Sequence, residues 1–125
     1  MFKNVLLVDD DEDDREFFIQ VIEELEPDVK CVCAKNGHDA FKIMDGFEPD
    51  VIFLDLNMPL MNGFQFLEKF RQRNDFKDIP IYILSTSSDP KSIQEANAYG
   101  AKNFLTKPDN LSGWKAIVKK VFSLP

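Results

Sequence analysis

The sequence predicts an α/β fold whose parallel sheet is covered by helices on both faces. Three observations predict it. Five short apolar runs recur about every 25 residues, and a stretch of helical periodicity follows each one. The runs are continuous rather than alternating, which marks strands buried on both faces. In a chain of 125 residues that is 44% hydrophobic there is enough apolar surface for one core.

The first run, Asn4 to Asp9, leads into Phe18, Val21, Ile22 and Leu25, spaced as one helix face. The second, Val29 to Ala34, precedes Ala40, Ile43, Met44 and Phe47 with the same spacing. After the third, Asp50 to Asp55, a loop leads to a helix over Gly63 to Arg73 that carries Phe66, Leu67 and Phe70 on one side. After the fourth, Ile79 to Ser85, Asp89 and Pro90 supply an N-cap and a first-turn proline for a helix to about Tyr99, with Gly100 as its stop. The fifth, Lys102 to Thr106, precedes a helix with Leu111, Trp114, Ile117, Val118, Val121 and Phe122 inside and Lys115, Lys119 and Lys120 outside.

Right-handed crossovers at this size favour the flavodoxin-like doubly wound (βα)5 arrangement, strand order 2-1-3-4-5, with ligands bound beyond the carboxyl ends of the strands. The five units use residues 1–125, which predicts a single domain. The longest apolar run near the start, Val5 to Val8, is followed by acids, so neither a signal peptide nor a membrane span is expected, and an intracellular, cytoplasmic protein is. Cys31 and Cys33 are too close for an easy disulfide and too few for a zinc site, and read as small core residues.

The formal net charge is −7, but residues 9–14 read Asp-Asp-Asp-Glu-Asp-Asp, and the remaining chain carries 16 acidic against 15 basic residues. The excess acidity therefore sits at the end of the first strand. Asp11, Asp13 and Asp14 fall where the first helix starts and read as residues that cap it and favour its dipole. Asp9 and Asp10 end strand 1, Asp55 ends strand 3, Ser85 and Thr86 end strand 4, and Thr106 and Lys107 end strand 5. Parallel strands bring these ends to one edge. Three carboxylates there repel unless a cation joins them, and Mg²⁺, a hard ion that keeps waters and takes phosphate as co-ligand, suits an open site. Asp55 has no adjacent helix to cap. With a metal, a lysine and a hydroxyl facing it, this carboxylate is equipped to accept a phosphoryl group as an acyl phosphate.

These pieces resemble a known family, the receiver domain of two-component response regulators, in its stand-alone, chemotaxis-regulator-like form. The resemblance is carried by Val5 to Asp10, Asp50 to Gly63, Ile83 to Ser87 and Gly100 to Pro108, in the family's order and spacing. It implies that Asp55 takes its phosphoryl group from a histidine kinase or a phosphotransfer protein. It also implies that Asp9, Asp10, Asp55 and the backbone carbonyl of Asn57 hold Mg²⁺, and that Lys107 contacts the phosphoryl group. Ser85 matches the switch hydroxyl and Phe104 the switch aromatic, while Pro108 matches a proline often preceded by a cis bond. Asn57, Thr86 and Ser87 lie where the family tunes hydrolysis; Thr86 stands where a smaller residue is frequent, and a phosphoryl lifetime unlike that of the fastest members is expected. On this reading the charge added at Asp55 draws Ser85 toward it, Phe104 turns inward, and the face of helix 4, strand 5 and helix 5 changes.

The signal is then expected to leave by contact with a protein partner, a homodimer included, and not through nucleic acid, given the acidic balance. His38, the only histidine, reads as a solvated helix-start residue rather than a phosphoryl carrier. The alternatives are a receiver-like binding module that is never phosphorylated, a Mg²⁺-dependent phosphohydrolase and a flavin-binding module. A phosphohydrolase resembling the haloacid-dehalogenase group needs an acid two residues after its nucleophile, where this chain has Asn57. A flavin phosphate loop would meet the six acids after strand 1.

Overall fold

The computed structural model describes residues 2–58, 61–73, 78–86 and 89–123. Its elements alternate through the chain: β1 Asn4–Val8, α1 Glu12–Leu25, β2 Lys30–Ala34, α2 Gly37–Met44, β3 Val51–Asp55, α3 Gly63–Arg71, β4 Ile81–Ser85, α4 Pro90–Ala98, β5 Asn103–Thr106 and α5 Leu111–Phe122. The strands form one parallel sheet in the order β2-β1-β3-β4-β5, so the flavodoxin-like arrangement is borne out.

Side chains alternate across the sheet and divide the core in two. Leu6, Val8, Ile52, Leu54, Ile81 and Ile83 face α2, α3 and α4, and pack with Ala40, Phe66, Leu67, Phe70 and Ala96. Val5, Leu7, Val51, Phe53, Tyr82 and Leu84 face α1 and α5, and pack with Phe18, Val21, Ile22, Trp114 and Val118. Each central strand is therefore buried on both sides, the condition its unbroken apolar sequence announced. Phe18 lies 5.0 Å from Phe53 and 6.0 Å from Trp114, ring centre to ring centre, which fixes α1 and α5 over the same patch of sheet.

The caps follow the side chains available. Asp11, Asn36, Asn62, Asp89 and Asn110 each accept backbone N–H groups at the start of their helices, and Asn62 with Gln65 forms a reciprocal capping box. Helix α2 is shorter than its periodicity suggests and stops at Met44; Phe47 reaches the core from the loop beyond it. Cys31 and Cys33 are free thiols, partly buried on the edge strand β2 rather than fully enclosed. No helix of the described residues is long and apolar enough to cross a membrane.

Candidate functional site

Hydrogen bonds just beyond the strands set the positions of the polar residues. Asp9 N–H donates to the carbonyl of Ala34 at 3.0 Å, and Lys107 N–H donates to the carbonyl of Ser85 at 2.7 Å. Each bond extends the sheet ladder by one residue. The side chains of Asp9 and Lys107 are thereby brought to the edge where Asp55 ends β3. Helix α3 can follow close behind because residue 63 is glycine: a Cβ there would lie 2.7 Å from Leu56 Cα and 3.0 Å from the Asp55 carbonyl oxygen.

Lys107 is the hub. Its Nζ stands 2.7 Å from Asp14 Oδ2, 3.1 Å from Asp9 Oδ2 and 3.3 Å from Asp55 Oδ2. The remaining oxygens of the two buried acids are held by backbone donors. Asp11 N–H donates to Asp9 Oδ1 at 2.9 Å, and Asn57 N–H donates to Asp55 Oδ1 at 3.1 Å.

Burial is the leading influence on the two buried acids. It pushes the Asp9 carboxyl up to about 7, against the Asp11 N–H and the charge of Lys107, which favour the anion. Asp55 is raised too, again by burial first, with Lys107 and the Asn57 N–H opposing. For Lys107, burial disfavours the ammonium, but the hydrogen bond to Asp14 and the charges of Asp9 and Asp55 outweigh it and hold its pKa above the usual lysine range.

One oxygen each from Asp9, Asp10 and Asp55 lie within 4.8 Å of one another. Asp9 Oδ2 is fully buried and accepts no aligned hydrogen bond, though Lys107 stands near it. An all-carboxylate set with an under-satisfied buried oxygen fits a hard divalent cation, which would relieve both the repulsion and the desolvation.

The structure brings Asp9, Asp10, Asp55 and Lys107 together. Ser85 is buried at the end of β4, and Asn57 is exposed two residues after Asp55. A cleft of about 560 Å³ between the β3–α3 and β4–α4 connections is lined by Asn57, Asn62, Phe64, Ser85, Asp89 and Ser92. Thr86 is exposed, and Ser87 lies outside the described residues. Phe104 is half-buried on β5 and packs on the core that faces α2, α3 and α4. His38 is exposed in the first turn of α2. The expectation of a cis bond before Pro108 is corrected. No peptide bond among the described residues is cis, and the Lys107–Pro108 bond keeps the trans form, which is favoured by about 0.5–1 kcal/mol even before proline.

Sequence reasoning also missed a residue. Asp11 caps α1 through Asp13 N–H and Asp14 N–H, whereas the Asp14 side chain turns to Lys107 and caps nothing. The signal was present in the periodicity. Asp14 stands four residues before Phe18 and seven before Val21, so it heads the buried stripe of α1. Arg15 beside it donates from Nη1 to the Asp9 carbonyl at 2.9 Å and braces the same corner.

Comparison with known proteins agrees with this geometry. Chemotaxis response regulator CheY4 of Vibrio cholerae superimposes with a TM-score of 0.84 at 30% identity, covering 97% of this chain and 99% of that one. The Mn(2+)-bound form of response regulator Rcp1 gives 0.85 at 26% identity, over 98% and 93% of the two chains. The phosphorylated cyanobacterial phytochrome response regulator RcpA gives 0.88 at 26% identity, over 97% and 91%. The chain spans 12% and 30% of the length of the first two curated relatives it matches, both 32% identical to it. Residues 5–119 match the response regulator receiver domain, and the chain belongs to that family.

Proposed function

We propose that the protein is a phosphoacceptor of a two-component phosphorelay, taking a phosphoryl group on Asp55 from a histidine kinase or a histidine phosphotransfer protein. The observation that carries this reading is the convergence of Asp9, Asp10 and Asp55 with Lys107 at one sheet edge. An Asp55 oxygen attacks phosphorus, the bond to the donor breaks, and its electron pair leaves with the donor. Burial raises Asp55 toward its neutral form, so cationic neighbours are needed to keep it an anion and a nucleophile.

Asp9, Asp10, Asp55 and the backbone carbonyl of Asn57 would hold Mg²⁺, which supplies positive charge to the transferring oxygens when bound. The Mn(2+)-bound relative Rcp1 and the phosphorylated relative RcpA support carrying both roles to this chain. Lys107 pairs with the phosphoryl oxygens, and Ser85 hydrogen-bonds one of them. Asn57, Thr86 and Ser87 border the attack path of water and set the lifetime of the adduct.

The output is a shift between two packings. The phosphoryl group adds roughly −1.5 to −2 charges. Ser85 moves toward it, Phe104 turns inward, and the face made by α4, β5 and α5 meets a protein partner, another copy of the chain included. The chain works as a single receiver domain in the cytoplasm and signals rather than turning over a substrate.

Intact mass spectrometry after incubation with Mg²⁺ and a small phosphodonor tests the chemistry. A single acid-stable, base-labile phosphoryl adduct is expected. An equal adduct in Asp55→Asn, or in excess chelator, would overturn the proposal.

A further inference from the structure

Asp14 belongs neither to the carboxylate triad nor to the helix cap, yet it makes the shortest contact with Lys107, 2.7 Å against 3.1 Å for Asp9 and 3.3 Å for Asp55. Its own N–H is already held by Asp11 Oδ1 at 3.2 Å, so the end of α1 needs nothing from its side chain. Asp14 stands one turn before Phe18 on the buried side of α1, and Phe18 packs against Phe53 and Trp114, which fixes the helix there. An ammonium has three N–H donors, and three carboxylates already crowd this one, Asp55 through a hydrogen bond and Asp9 and Asp14 as ion pairs. A phosphoryl group on Asp55 brings further acceptors to the same ammonium, so one present partner must give way. Asp14 is the most exposed of the three, at 15% against 0% for Asp9 and 5% for Asp55, and is rehydrated at least cost.

We propose that Asp14 is a positioning residue, a tether that shares Lys107 with the triad in the unphosphorylated protein and gives it up to the phosphoryl group. This rests on the phosphoacceptor reading of Asp55. Carboxylate and phosphoryl oxygens then compete for one ammonium, and Asp14 tunes both metal binding and phosphoryl retention without touching either ligand. Removing its charge releases Lys107 toward the triad, where it competes with Mg²⁺, and later toward the phosphoryl group, which it holds more firmly.

The test measures, on the full chain by calorimetry, the affinity for Mg²⁺ and then for beryllofluoride at saturating Mg²⁺. The variants are Asp14→Asn, which keeps the side chain's size, and Asp14→Glu, which keeps its charge. Asp14→Asn should weaken Mg²⁺ about fivefold and strengthen beryllofluoride about fivefold, within the usual range for coupled sites. Asp14→Glu should return both toward the parent values, and a urea unfolding midpoint near the parent's shows that the fold is intact. In a Lys107→Met background Asp14→Asn should change neither affinity, which separates a tether from a plain through-space charge. Unchanged affinities in Asp14→Asn while the parent binds beryllofluoride, or an effect that survives in Lys107→Met, would overturn the tether. A parent protein that binds no beryllofluoride would overturn the phosphoacceptor reading itself, and the tether with it.

Discussion

Lys107 Nζ lies 3.1 Å from Asp9 Oδ2, an oxygen buried to zero exposure that accepts no aligned hydrogen bond. The pair is held by charge without being directionally satisfied. Burial is the larger influence on this oxygen's carboxyl and lifts it to about 7 in spite of the neighbouring cation. It also makes Lys107 structural in the metal-free protein. Lys107→Ala leaves Asp9, Asp14 and Asp55 without their shared cation and should destabilise the metal-free fold by about 3 kcal/mol. Urea unfolding in chelator should show this, and saturating Mg²⁺ should recover most of the loss.

The pH dependence follows from the same burial. The Asp9 carboxyl titrates near 7 in the fold against 3.8 when free, so between those values the folded chain binds more protons than the unfolded one. Stability of the metal-free protein should therefore fall as pH rises through this window and level off above it, with Asp55 acting in the same direction. Mg²⁺ must displace the proton. Its affinity should rise up to about tenfold per pH unit below 7 and flatten above, as followed by calorimetry.

Two glycines test the scaffold around the site. Gly100 holds φ at +83° at the end of α4, and Arg71 fills the space beside it, donating to the carbonyls of Tyr99 at 3.1 Å and Gly100 at 2.8 Å. Gly100→Ala should cost about 1–2 kcal/mol of stability. Gly63→Ala drives a methyl against the backbone of Leu56 and Asp55 and should cost about 1–3 kcal/mol, while displacing the Asp55 loop enough to slow phosphorylation. Urea unfolding and phosphorylation rates measured side by side separate the two.

The proposed switch has its own readout. Beryllofluoride with Mg²⁺ should shift the amide resonances of Phe104 and of α4. In Ser85→Ala the mimic should bind about fivefold more weakly, the worth of one hydrogen bond, and the Phe104 shifts should be lost. Shifts at Phe104 that survive in Ser85→Ala would uncouple the hydroxyl from the aromatic ring.

The sheet was legible in the sequence because strands buried on both faces leave no room for polar residues. Val5 to Val8 and Val51 to Leu54 carry that constraint directly. The triad was legible because strand-ending acids in a parallel sheet share one edge. Asp14 was not, since the run of six acids hid which of them pointed inward; only its register with Phe18 separates it from Asp13, which is exposed. The trans bond before Pro108 had no local signal at all, because Lys-Pro is compatible with either isomer. The end of α2 was overrun because Phe47 reaches the same core from a loop that its helical partners reach from the helix.

Reductive trapping identifies the residue that accepts the phosphoryl group. Borohydride converts an aspartyl phosphate to homoserine, so the phosphorylated protein, reduced and digested, carries the mark at the accepting residue. Homoserine is expected at position 55 alone, dependent on Mg²⁺. Homoserine at Asp9 or Asp10, or a phosphoryl group recovered on His38, would contradict it.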